Sequence, residues 1–143
     1  MVAGTAEDPV RLSGLGADTA GYWRGITVSK GASEVMLSHV EVSGAGEEGD
    51  EALLVTDTTM RVDGVSVTLS AGVGITLDGT ASFSAGSQDL SISGCDLPLR
   101  LAAGAVSSLP TTGLSLTGNT TDAIAIDGGG EVSASGAWVD AGV

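Results

Sequence analysis

Large apolar and small polar residues alternate with a period of two along this chain, in short runs that return about every 25 residues. Gly72-Val73-Gly74-Ile75-Thr76-Leu77 and Leu90-Ser91-Ile92-Ser93-Gly94-Cys95 are the clearest pair. One series of runs opens at Ile26, Leu53, Ile75, Leu99 and Ile124, in steps of 27, 22, 24 and 25. Two residues later stand Val28, Val55, Leu77, Leu101 and Ile126. A second series opens at Val40, Val65, Leu90 and Leu114, in steps of 25, 25 and 24, and is echoed by Val42, Val67, Ile92 and Leu116. Alternation of this kind places the apolar residues on one face of a strand, and a repeat of this length is the mark of a solenoid.

One unit of two or three short strands cannot bury its apolar face alone, whereas a coiled chain stacks each strand on its copy one turn later. The predicted fold is all-β: a parallel β-helix of about five coils with roughly 24–25 residues per coil. Parallel strands about 4.8 Å apart would make it a rod roughly 25 Å long. The pattern predicts Ile75, Leu77, Leu90 and Ile92 inside and Thr76 and Ser91 outside. A weaker third strand is expected at Val35-Met36-Leu37 and Met60-Arg61-Val62, marked later only by Phe83 and Val106. Ala45, Ser70, Cys95 and Asn119, each three residues past the second series, form a column of small or turn-forming residues at a corner. With one Asn among unlike residues, only a vestige of an amide ladder is expected there.

Composition narrows the picture without changing it. A chain of 143 residues is expected to be one domain, and its 23 glycines and 3% aromatics suit tight turns and thin side-chain layers. No stretch repeats at helical spacing, and a patterned 42% hydrophobic content does not describe a disordered chain. The net charge of −13, with only five Lys and Arg, repels nucleic acid and anionic lipid. No transmembrane run is present, so membrane insertion is not expected. The single Cys95 permits no internal disulfide and reads as a small buried thiol.

Candidate chemistry is sparse. Glu47, Glu48, Asp50 and Glu51 put four carboxylates within five residues and are weak candidates for a hard cation. Their spacing matches neither an EF-hand nor a calcium nonapeptide repeat, and a solvated loop is the favoured reading. Asp57, Asp78 and Asp127 follow the first series of strands, but two turns separate Asp78 from Asp127, about 10 Å. Ala102 stands between them, so they read as corner residues and not as an acid–base pair. Gly128-Gly129-Gly130 is no phosphate loop, since no Lys follows. His39 is expected on the surface, and Trp23 over the end of the apolar column. No catalytic residue and no cofactor is expected.

The outward positions of the second series are more regular. They read Glu41, Ser66, Ser91, Ser115 and, two residues on, Ser43, Thr68, Ser93, Thr117. This flat strip of small hydroxyl residues is either a plain solvated sheet face or a binding surface for glycan, a partner sheet or ice.

Trp23-Arg24-Gly25-Ile26-Thr27-Val28, then Val35-Met36-Leu37-Ser38-His39-Val40-Glu41-Val42-Ser43-Gly44-Ala45-Gly46, resembles the repeat of bacterial right-handed parallel β-helix proteins of pectin-lyase-like fold. Gly113–Asn119, Ala123–Ile126 and Gly136-Ala137-Trp138 are similar to the end of the same module. The resemblance covers roughly residues 22–140. It implies a right-handed coil and a place in a large secreted or cell-surface protein. Some relatives process polysaccharides, but none of their catalytic motifs occurs here.

The expected function is therefore a non-catalytic structural or binding segment, with a carbohydrate or protein ligand, and the chain is not expected to be an enzyme. A polysaccharide lyase or hydrolase fragment is the alternative, and a Ser/Thr face for glycan or ice a further one. Met1–Gly4 lacks the basic and apolar regions of a signal peptide, and Trp138–Val143 ends without a polar cap. The first leaves either a cytoplasmic protein or a chain that begins inside a longer one; the ends favour the latter, a segment of a longer exported chain, with self-association through the coil ends. Trp138 is expected to fold back over Ile124 and Ile126.

Overall fold

The computed structural model describes residues 1–15 and 19–127. In chain order its strands are β1 (Val2–Ala3), β2 (Val10–Ser13), β3 (Ile26–Val28), β4 (Val35–Ser43), β5 (Leu53–Thr56), β6 (Thr59–Thr68), β7 (Val73–Asp78), β8 (Ser82–Phe83), β9 (Gln88–Ser93), β10 (Leu97–Ala102), β11 (Leu114–Ser115) and β12 (Ile124–Asp127). Every strand pair is parallel. One sheet runs β1-β4-β6-β9-β11, with β2 also on β4 and β8 also on β6; the other runs β12-β10-β7-β5-β3. The chain thus alternates between two stacked ladders and forms a parallel β-solenoid of about four turns.

The stacking register is the one the alternation predicts. Ile26, Leu53, Ile75, Leu99 and Ile124 are partners in one ladder, and Val28, Val55, Leu77, Leu101 and Ile126 in the next. Across the interior, Val40, Val65, Leu90 and Leu114 align, as do Val42, Val67 and Ile92. Ile75, Leu77, Leu90 and Ile92 are fully buried and Ser91 is exposed. The five strand starts overcount the turns by about one. The Ile124–Asp127 strand opens a turn that has no second strand among the described residues.

Three details depart from the pattern. Thr76, expected outside, is buried at 4% exposure because Glu51, 25 residues earlier, lies over it and accepts its hydroxyl at 3.3 Å. The weak third strand is continuous with the second: β4 and β6 each run through a bend, at His39 (φ 48°) and Gly64 (φ 64°). Asp89 (φ 51°) and Gly113 (φ 65°) occupy the same place in the next two turns. A left-handed residue at this position turns the strand while Val40, Val65, Leu90 and Leu114 still face inward. Val106, expected on a strand, sits in a 3₁₀ turn, Ala103–Ser108, and still reaches the core.

The corner column is filled in a different way in each turn. Ala45 and Cys95 are buried, and the Ser70 hydroxyl donates to the Val73 carbonyl and accepts from Gly72 N–H. Asn119 does more than keep a vestigial ladder: its Oδ1 accepts from Cys95 N–H at 3.1 Å, and its Nδ2 reaches the Ile92 and Leu116 carbonyls at 3.2 and 2.9 Å. Trp23 packs half-buried on the core and donates its Nε1–H to the Ser43 carbonyl at 2.9 Å. Trp138 lies outside the described residues.

Two aspartates fix turns by accepting backbone N–H bonds. The Thr80 backbone N–H, then its hydroxyl, hold the Asp57 carboxyl below its ordinary pKa of 3.8. Asn119 and Gly118 N–H do the same for Asp122. A carboxyl whose folded pKa is depressed stabilises the fold above its unfolded pKa, and that stabilisation is lost as pH falls through the folded value. Thermal stability should therefore fall when the pH drops below about 4, and Asp122→Ala should flatten that acid limb. Melting curves between neutral and acid pH check it; an unchanged limb would mean that the Asp122 bonds contribute nothing.

Candidate functional site

The outer face of the larger sheet follows directly from the ladder. Arg11, Glu41, Ser66, Ser91 and Ser115 stand side by side on β2, β4, β6, β9 and β11. Ser13, Ser43, Thr68 and Ser93 form a second row two residues along. Neighbours within a row are about 4.8 Å apart. The rows are thus in register, as expected, and Arg11 and Ser13 extend them by one turn. Thr117 is exposed beyond the end of β11. Arg11 closes one row: its Nε donates to Glu41 Oε2 at 2.8 Å.

Beside the strip, along the bend, lies a groove of about 340 Å³. Pro9 and its neighbours in the loop between β1 and β2 overhang one end, His39, Glu41 and Ser66 line it, and Asp89 and Ser91 stand at the other end. Gly64 makes the room. A Cβ on Gly64 would lie 2.6 Å from His39 Nδ1, so the imidazole occupies the space that a side chain one turn later would take. Non-glycine residues in the left-handed region cost about 1–2 kcal/mol each. His39 and Asp89 both bear that cost, and both line this groove. Among the described residues, the His39, Ser66, Asp89 and Ser91 side chains have no hydrogen-bond partner, which leaves donors and acceptors of both kinds open to a polar ligand.

The acidic loop is not a single cluster. Asp50 pairs with Arg24 at 3.2 Å, while Glu51 faces Thr76 and, at 3.7 Å, Arg100. Glu47 and Glu48 point to solvent from a short 3₁₀ turn. Among the described residues, no three His, Cys, Asp or Glu side chains converge as a metal shell would. Asp57 is held by Thr80, and Asp78 Oδ1 accepts from Gly79 N–H at 2.8 Å. Asp127 pairs in register with Ala102 and is exposed. The three aspartates therefore sit at corners and do not face one another across a cleft. Burial pushes the Cys95 thiol above its ordinary value, with Asp96 adding to it, and Sγ donates to the Ser93 carbonyl at 3.5 Å. A buried, protonated thiol is a poor nucleophile.

The groove was the feature missed in the sequence. The overhanging loop precedes the first full turn, and only the 24–25-residue spacing of His39, Gly64, Asp89 and Gly113 could have signalled that they share a bend. No described helix is long and apolar enough to cross a membrane. No protein-family model, curated protein or solved structure matches the chain.

Proposed function

We propose that this chain is a non-catalytic binding segment of an exported β-helix protein, of the secreted or cell-surface kind to which its repeat bears a resemblance. Its ligand lies along the outer face of the larger sheet. The observation that carries this reading is the pair of in-register hydroxyl rows running beside the groove of His39 and Asp89. Small hydroxyls on a rigid parallel ladder present evenly spaced donors and acceptors, which suits an extended polar ligand such as a neutral glycan. Anionic polysaccharide is disfavoured by a net charge of −13.

The test is affinity electrophoresis and calorimetry with neutral and acidic polysaccharides, comparing the parent with Ser91→Arg. Ser91 is exposed in the middle of the strip. The substitution should leave the melting temperature unchanged and weaken binding of a neutral glycan by about tenfold or more, a loss of about 1.4 kcal/mol. Release of reducing ends or unsaturated products by the parent would overturn the non-catalytic reading. The even spacing of the rows favours ice as a second ligand. Thermal hysteresis with crystal shaping, abolished by Ser91→Arg, would support ice over glycan; without hysteresis the ice reading fails.

A further inference from the structure

The bend is built differently in the first turn. Later turns pass it with a single residue, Gly64 opposite His39 and Asp89 opposite Gly64. In the first turn Ala3 pairs with Ser38 and Val10 with Val40, so the whole of residues 4–9 lies opposite His39 alone. This insert is tied at its base and across its middle. Gly4 N–H donates to the Ser38 carbonyl at 2.8 Å, Thr5 N–H to the Asp8 carbonyl at 3.0 Å, and Asp8 N–H to Thr5 Oγ1 at 3.0 Å. A Cβ on Gly4 would lie 2.7, 2.8 and 2.9 Å from the Val10 nitrogen and the Asp8 and His39 carbonyl oxygens, so only glycine closes this neck. The Pro9 ring fixes the backbone where it enters β2. The insert is thus a held wall.

That wall stops the groove at one end. Thr5, Ala6 and Pro9 stand at the His39 end, and the groove runs from them over Gly64 to Asp89 and Ser91. This is three ladder steps, about 14 Å. On the strip, the same end carries the Arg11–Glu41 ion pair, so the row of outward side chains is capped where the groove is walled. In the other direction the row continues to Ser115, and the bend passes Gly113, which adds no side chain. At about 340 Å³ the groove is at the small end of ligand sites.

We propose that the insert makes this a site for the end of a chain: the terminal residue of a neutral glycan sits against the wall, and the rest leaves along the strip toward Ser115. The proposal rests on the glycan reading above. A terminal sugar carries a hydroxyl that residues within the chain have engaged in a linkage. The His39 imidazole, beside the wall and without a protein partner, faces that hydroxyl, and a site that hydrogen-bonds a hydroxyl rejects a ligand lacking it. The two termini of a glycan differ chemically, so a single closed end takes one of them. Binding sites on a polysaccharide are then counted by its chains and not by its length.

Calorimetry with linear oligosaccharides of xylose, glucose and mannose, from short to long, tests this on the parent and on a variant with one glycine in place of residues 4–9, the arrangement found at Gly64. The parent should bind one protein per chain at every length. The shortened variant should bind several per long chain. Several proteins per long chain in the parent, or an unchanged stoichiometry in the folded shortened variant, overturns the proposal. Should that variant not fold, Ala6→Trp, at an exposed position on the wall, takes its place. It should weaken binding of short chains about tenfold, and an unchanged or higher affinity overturns the proposal. If no oligosaccharide binds the parent, the glycan reading fails and this one with it. If proteins line long chains and Ser91→Arg abolishes that binding, the glycan reading stands and the end-on site alone falls.

Discussion

Ile92→Ala is expected to cost about 2–5 kcal/mol of unfolding free energy. Ile92 is fully buried between Val67 on one side and the following turn on the other. It also spans the interior: a Cβ on Gly74, in the opposite sheet, would fall 2.5 Å from Ile92 Cγ2. Gly74 is thus the hole into which Ile92 fits, and truncation leaves a cavity that two rigid ladders cannot collapse to fill. Denaturant unfolding should show a lower midpoint with an unchanged slope. A cost below about 0.5 kcal/mol, the level of a surface substitution, would place Ile92 outside the core.

Asn119→Ala should be nearly as damaging, at about 2–4 kcal/mol. The side chain fills a corner where the backbone of one turn would otherwise have unpaired groups. Its Oδ1 is the acceptor for Cys95 N–H, and its two amide hydrogens are shared among the Ile92 and Leu116 carbonyls and Asp122 Oδ1, at 3.2, 2.9 and 3.0 Å. Alanine removes all of these at once and leaves buried groups of two turns without partners. Equilibrium unfolding of the variant checks it. A loss under about 0.5 kcal/mol would mean that water replaces the amide without penalty.

What could be read from the chain was whatever depends on periodicity. The apolar columns were visible because residues two apart share a face and residues 24–25 apart share a ladder, so sequence spacing alone determines the contacts. What could not be read depends on side chains reaching across turns of unequal length. Thr76 looks like any outward Thr until Glu51, from the longest turn, is laid over it. Four neighbouring carboxylates read as a solvated acidic loop, and the ion pairs of two of them were out of view because their counter-charges, Arg24 and Arg100, lie 26 and 49 residues from Asp50 and Glu51. The bend was hidden for a chemical reason. Its left-handed position is filled by His39 and Asp89 as well as by Gly64 and Gly113, so no single residue type announces it. The register of the rows from Glu41 to Ser115 and from Ser43 to Ser93 was legible, but Thr117 lies beyond the ladder, Arg11 and Ser13 were not anticipated in it, and the groove beside it was not legible at all.

The uniform parallel stacking also bears on how disturbance spreads. Except in the short turns, the ladder partners of each residue lie one turn before and one turn after it, close to 25 residues away. Such a molecule behaves as a row of coupled units, in which each turn owes its order to two neighbours and an end turn to one. Opening events should therefore begin at the ends and move inward. Slow amide exchange should peak near Val65 and Leu90, so that a substitution in the first turn loosens the second well before it is felt at Leu114.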